Sequence, residues 1–128
     1  MNKHGIVLFG HGARDARWAG PFERLAAKLR AARGAQASVV LAFLELMEPS
    51  LAAATAALAA QGCDAITVIP VFFGEGGHVR RDLPGLIDAC RAAYPGVDIR
   101  CATAVGEDDA VLDAIVAYCM RASADPTS

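Results

Sequence analysis

The sequence has no long apolar run, no surplus of charge of either sign and no cysteine pair, and each absence excludes a class of function. Its apolar stretches are broken by charge, Gly or Pro well short of the roughly 20 residues a bilayer span needs, so no membrane segment is expected. Lys and Arg total 12 against 14 Asp and Glu, a formal net charge of −2. That balance lacks the broad basic surface that duplex nucleic acid or an anionic membrane would require, and neither is expected as a partner. Cys63, Cys90, Cys101 and Cys119 are scattered, with no Cys-x-x-Cys spacing and no adjacent His. A zinc knot and a dithiol redox motif are thereby excluded, and the four are expected reduced and mostly buried as small hydrophobes. Between Met1 and Gly10 stand one Lys and one His before a short apolar run, without a small-residue cleavage site, so a cytoplasmic location is expected.

What is present is a chain of 128 residues, 55% apolar and 20% charged, enough for one globular domain with a single core. That domain is expected over residues 1–122, with Ser123 to Ser128 a flexible tail. Ile6, Val7, Leu8 and Phe9 form a continuous apolar run closed by Gly10, the pattern of a strand buried on both faces of a parallel sheet. From Pro21 to Arg33 apolar residues recur at helical spacing until Gly34. The alternation repeats: a strand from Ser38 to Leu46, a helix opened by Pro49 and ending near Gly62, and a strand from Ala65 to Phe73. A helix from about Asp82 to Tyr94, a strand from Val97 to Ala102 and a helix from Asp108 to Arg121 complete it. Four β-then-α units predict a three-layer α/β fold, a doubly wound parallel four-stranded sheet of order 2-1-3-4. In such a sheet ligands bind where the loops after strands one and three part.

Two of the three histidines fall at that edge. His11 follows strand one within Gly10-His11-Gly12, and His78 follows strand three after Gly74-Glu75-Gly76-Gly77. Each on its own is as readily explained by backbone hydrogen bonding as by ligation. As a pair at one edge, beside glycines that leave access, they point to a shared divalent metal such as Co²⁺, Ni²⁺ or Fe²⁺. Two ligands leave most of a coordination shell to substrate, water or a carboxylate, which argues against a permanent structural site. Glu48 precedes a proline at the junction of strand two and its helix. Glu45 lies in the predicted apolar strand, where a buried carboxylate needs a partner or a task. Arg14, Arg17, Arg80 and Arg81 form a positive rim suited to a substrate with several carboxylates or phosphates. The glycine-rich loop matches neither a nucleotide phosphate loop nor a dinucleotide fingerprint.

The segments FGHGARDARW (Phe9 to Trp18), LELMEPSL (Leu44 to Leu51) and PVFFGEGGHVRRDLP (Pro70 to Pro84) closely resemble the small sirohydrochlorin chelatases, the short class II chelatases. The resemblance runs from about Ile6 to Ala104. It implies insertion of Co²⁺ first, or Ni²⁺ or Fe²⁺, into the polycarboxylate tetrapyrrole sirohydrochlorin, in cobalamin- or sirohaem-type biosynthesis, with no cofactor beyond the metal substrate. It implies that His11 and His78 hold the metal, that His11 accepts a proton, and that Glu48 and the loop Phe73, Gly74, Glu75, Gly76, Gly77, His78 contact the tetrapyrrole. Glu48 shares the catalytic assignment, and Phe73 and Trp18 are candidates for an apolar wall. Double-length relatives place two such units around one cleft, which implies a homodimer here. Two positions depart from the pattern: Ala13 stands where many relatives have Ser, and Glu75 where some have a further histidine. A different reading uses the same two histidines in a non-catalytic metal carrier or sensor.

Overall fold

A computed structural model describes residues 3–34, 37–74 and 76–124. The four strands, β1 (His4–Gly10), β2 (Ala37–Phe43), β3 (Ala65–Pro70) and β4 (Asp98–Cys101), pair in parallel in the order β2-β1-β3-β4, as expected from the sequence. The register sets Gly10 beside Phe43, Phe9 beside Pro70 and Val68 beside Cys101. Helices α1 (Gly20–Arg33), α2 (Leu51–Ala60), α3 (Gly77–Ala93) and α4 (Asp109–Ala122) follow the strands in turn.

The main core lies between the sheet and the α2–α3 pair. Val7, Phe9, Ile66 and Val68 point from the sheet into it and meet Leu58 of α2 and Leu83 and Ile87 of α3. Thr55 is wholly buried there, and its hydroxyl donates to Cys90 Sγ at 3.5 Å, so the polar group joins α2 to α3. The opposite sheet face packs Ile6, Leu8 and Val39 against Ala26 of α1. Central β1 is therefore covered on both faces, whereas along β3 buried and half-buried residues alternate, because α2 and α3 close only one of its faces. Cys63 and Cys90 are buried as anticipated, but Cys101 and Cys119 are exposed. Their elements, β4 at the sheet edge and the outlying α4, have little covering them. No described helix is long and apolar enough to cross a membrane.

Several expected boundaries move. β2 ends at Phe43 rather than Leu46, and β3 at Pro70 rather than Phe73, because both segments continue as irregular chain beyond their partners. Helix α3 starts at Gly77 rather than near Asp82, with Pro84 inside it. Its buried stripe of Val79, Leu83, Ile87 and Cys90 runs at helical spacing through the proline, and that burial outweighs the lost backbone bond. Of the expected tail, Ser123 and Ala124 follow α4, and residues 125–128 lie outside the described residues.

Because Pro84 sits in a helix interior, Pro84→Ala is expected to stabilise the chain by roughly 1–3 kcal/mol, the restored helical bond exceeding the gain in unfolded-chain entropy. Urea unfolding with an unchanged slope would measure it. A neutral effect would fit a helix that begins only at Asp82, where Pro84 would lie in the first turn.

Candidate functional site

β1 and β2 end side by side, and their chains stay together beyond the last sheet pair. Leu44 N–H donates to Gly10 O at 2.9 Å and Glu45 N–H to His11 O at 3.2 Å. Gly12 makes this closeness possible. Its φ is +103°, and a Cβ built on it would overlap the carbonyl oxygen of Glu45. The second loop then folds back sharply: Leu46 has φ +67°, Met47 N–H donates to Glu45 O at 2.8 Å, and Phe43 N–H reaches Pro49 O at 2.9 Å.

The two loops bring one imidazole to one carboxylate. His11 Nε2 lies 3.3 Å from Glu45 Oε1, with their side chains 46% and 48% exposed. Glu45 is thus neither in the strand nor buried, as the sequence pattern suggested, and the partner it was expected to need is His11. A half-exposed pair of this kind contributes at most about 1 kcal/mol to stability, so its groups remain available to a ligand. Glu48, three residues on, is exposed and follows the same turn, joined to Pro49 by a cis peptide bond. The carboxylate that the fold delivers to His11 is Glu45.

Beneath the first loop is an aromatic floor. The Trp18 ring lies 4.7 Å from Phe22 and 6.1 Å from Phe43, so Trp18 is largely engaged in packing. Arg17 is engaged as well. Its guanidinium reaches both oxygens of Asp15, at 2.8 to 3.2 Å, and its backbone N–H donates to the same carboxylate at 2.9 Å. The Arg17 side chain, and then its backbone N–H, hold the Asp15 carboxyl below its ordinary range. Of the four rim arginines Arg17 is therefore committed to its own turn, while Arg14 and Arg80 are exposed.

A cleft of about 520 Å³ opens beside the pair, lined by Leu44, Glu45, Arg81, Asp82, Gly85 and Leu86. It lies between the second loop and the N-terminal half of α3. His78 and Arg80 belong to the first turn of α3 rather than to a loop, and Arg80 N–H donates to Gly76 O at 2.9 Å. His78 is described by its backbone alone, and Glu75 lies outside the described residues. Phe73 is 67% exposed, and Gly74, Gly76 and Gly77 stand open beside it. Among the described residues no three or more His, Cys, Asp or Glu side chains cluster to hold a metal ion.

The chain matches the model of the CbiX family over residues 5–122. It is 30% identical over 110 residues to a sirohydrochlorin cobaltochelatase of Sulfurisphaera tokodaii, covering 86% of each chain. It is also 30% identical over 115 residues to a sirohydrochlorin ferrochelatase of Bacillus subtilis, covering 88% of this chain but 43% of that protein. Among solved structures, a CbiX protein of Marinobacter aquaeolei superposes with a TM-score of 0.79 at 35% identity, over 92% of this chain and 95% of the other.

Gly12→Ala should part the two loops at a cost of about 1–3 kcal/mol, from the left-handed backbone and the overlap with Glu45 O. Two readings are expected: a lower urea midpoint, and His11 ring resonances that no longer respond to Glu45→Gln. A variant as stable as the parent would show that the loops do not need this close approach.

Proposed function

The chain belongs to the CbiX family, and from that premise we propose that it inserts a divalent metal, Co²⁺ first among Co²⁺, Ni²⁺ and Fe²⁺, into sirohydrochlorin. The observation that carries the reading is the His11–Glu45 pair, held on two backbone-linked loops beside a cleft that Arg81 also lines. The names of the matched cobaltochelatase and ferrochelatase support the substrate and leave Co²⁺ and Fe²⁺ both in play. The product would serve cobalamin- or sirohaem-type biosynthesis.

The reaction exchanges one M²⁺ for the two pyrrole protons, so a site must loosen metal waters, accept protons and hold the macrocycle. His11, when neutral, offers a nitrogen donor suited to a borderline cation, and His78 is the second ligand in this proposal. Proton transfer from pyrrole nitrogen requires a base with somewhere to pass the proton. Glu45, 3.3 Å from His11 Nε2, is that acceptor, while Glu48 contacts the tetrapyrrole from farther along the same loop. The half-exposed, two-residue arrangement also suits release: a dense anionic cage would hold the metal against transfer to the ring nitrogens.

The macrocycle carries carboxylates at its rim, and Arg14, Arg80 and Arg81 are placed on the elements around the cleft to meet them. Phe73 and the loop to His78 supply the apolar contact for its face. In the proposed assembly two copies of the chain act together, supported by the double length of the Bacillus subtilis relative.

Mixing the protein with sirohydrochlorin and then Co²⁺, Ni²⁺ or Fe²⁺ should give the absorption change of metal insertion. Metal binding with no tetrapyrrole binding would instead identify a carrier or sensor. His11→Ala is expected to lower kcat by at least about 100-fold, and Glu45→Gln by roughly 10- to 100-fold with tetrapyrrole affinity kept. A Glu45→Gln enzyme with unchanged kcat would remove Glu45 from proton transfer. Arg80→Ala should raise KM for the tetrapyrrole more than it lowers kcat, because an exposed charge contact acts mainly in binding. Steady-state kinetics at two salt concentrations would test this, and an unchanged KM would mean that the carboxylates are held elsewhere.

A further inference from the structure

The segment that leaves β3 passes from a well-held residue to an open one in a single step. Val71 N–H donates to Phe9 O at 2.8 Å, and the Phe72 ring meets Phe9 edge-on at 6.5 Å against the core. Phe73 is already 67% exposed, and Cβ atoms built on Gly74, Gly76 and Gly77 would meet nothing within 4 Å. The chain between Phe73 and α3 therefore has open space around it.

A close backbone contact stands at that step. In the short turn Val105–Glu107, which joins β4 to α4, Gly106 N–H donates to Phe72 O at 3.1 Å. A Cβ at Gly106 would overlap Cα, C and O of Phe73. Unlike Gly12, Gly106 is not among the residues of positive φ, so the position requires room rather than a left-handed backbone. The turn itself is firmly seated. Ala102 N–H continues the β4 ladder by donating to Val68 O at 2.9 Å, Ala104 is wholly buried, and Glu107 N–H returns to Ala104 O at 2.9 Å. Of the two surfaces in contact, the turn is anchored to the sheet and the loop is the softer.

We propose that Gly106 is a positioning residue for the tetrapyrrole: by letting the turn touch the Phe73 backbone, it sets where Phe73 and the glycines after it stand against the macrocycle. The contact is independent of any ligand, and the identity of the ligand rests on the chelatase reading above. Gly106 lies on an element that contributes nothing to the His11–Glu45 pair. A side chain at this position must displace either the turn or Phe73, and the loop, with the weaker support, is the one that yields. Misplacing by about 1 Å a group that positions substrate costs on the order of 100-fold, even with the reacting groups unchanged. Gly12 and Gly106 then govern separate halves of one site, the first joining the loops after β1 and β2, the second fixing the loop after β3.

Gly106→Ala in the full chain tests this. Without ligand, the amide resonances of Phe73, Gly74 and Gly77 should shift, while the His11 ring should respond to Glu45→Gln as it does in the parent. Absorbance titration with sirohydrochlorin should show affinity weakened by roughly 10- to 100-fold. Asp108→Ala is the control for stability. It removes the carboxylate that accepts from Val111 N–H at 3.2 Å and so unsettles α4, yet it leaves the contact with Phe73 in place, and its affinity should stay within about 3-fold of the parent. Should Gly106→Ala fail to fold, the parent alone decides. Its Gly106 amide should exchange with solvent at least about 10-fold more slowly when sirohydrochlorin is bound, because a ligand that holds the loop also holds its bond to the turn. Unmoved loop resonances, unchanged affinity in the alanine variant, an equal loss of affinity in Asp108→Ala, or a Gly106 amide indifferent to the ligand would each overturn the role given to Gly106. A parent that binds no sirohydrochlorin would overturn the chelatase reading and with it the choice of ligand, while the loop resonances would still show whether Gly106 sets the loop.

Discussion

The absence of a side chain at Gly12 is the constraint on which the open edge of the sheet depends. Parallel strands diverge once their ladder ends, and polar groups on the two loops would ordinarily drift apart into solvent. Here the ladder is extended past Gly10 and Phe43 by two further backbone bonds, and the carbonyl oxygen of Glu45 then stands where a Cβ at Gly12 would be. The imidazole of His11 and the carboxylate of Glu45 are neighbours as a result. Their proximity is a backbone property first and an ion-pair property second, consistent with how little an exposed pair contributes by itself.

The same edge shows a division of labour among similar residues. Arg17 closes on Asp15 and stabilises the turn that follows His11, whereas Arg81 lines the cleft and Arg14 and Arg80 face solvent. Trp18 is drawn into a cluster with Phe22 and Phe43 that supports both loops from below, while Phe73 projects freely. One arginine and one aromatic residue thus serve the scaffold, and their counterparts Arg14, Arg80 and Phe73 remain exposed.

The strand order was legible in the sequence because four apolar runs alternate with helical periodicities, and chirality leaves few ways to connect them. The place of His11 followed from the glycines on either side of it. The depth of Glu45 did not, because Phe43-Leu44-Glu45-Leu46 reads as continuous strand, and only the backbone contact at Gly12 and the left-handed Leu46 turn it out of the sheet. The start of α3 was obscured by Pro84, a residue whose local preference is overridden by the burial of Val79 one turn earlier. The exposure of Cys119 was hidden for a third reason. An apolar stripe in a sequence leads one to expect a covered helix face, yet no residue of α4 is buried in this chain.

A helix of 14 residues without a buried face has little beyond its caps to keep it formed, since isolated helices of about 12–15 residues are marginal in water. Residues 116–122 are therefore the part of that helix most open to fraying. Amide hydrogens there would exchange at a rate set by local opening of α4, while those of β1 and α2 would report on the stability of the whole domain.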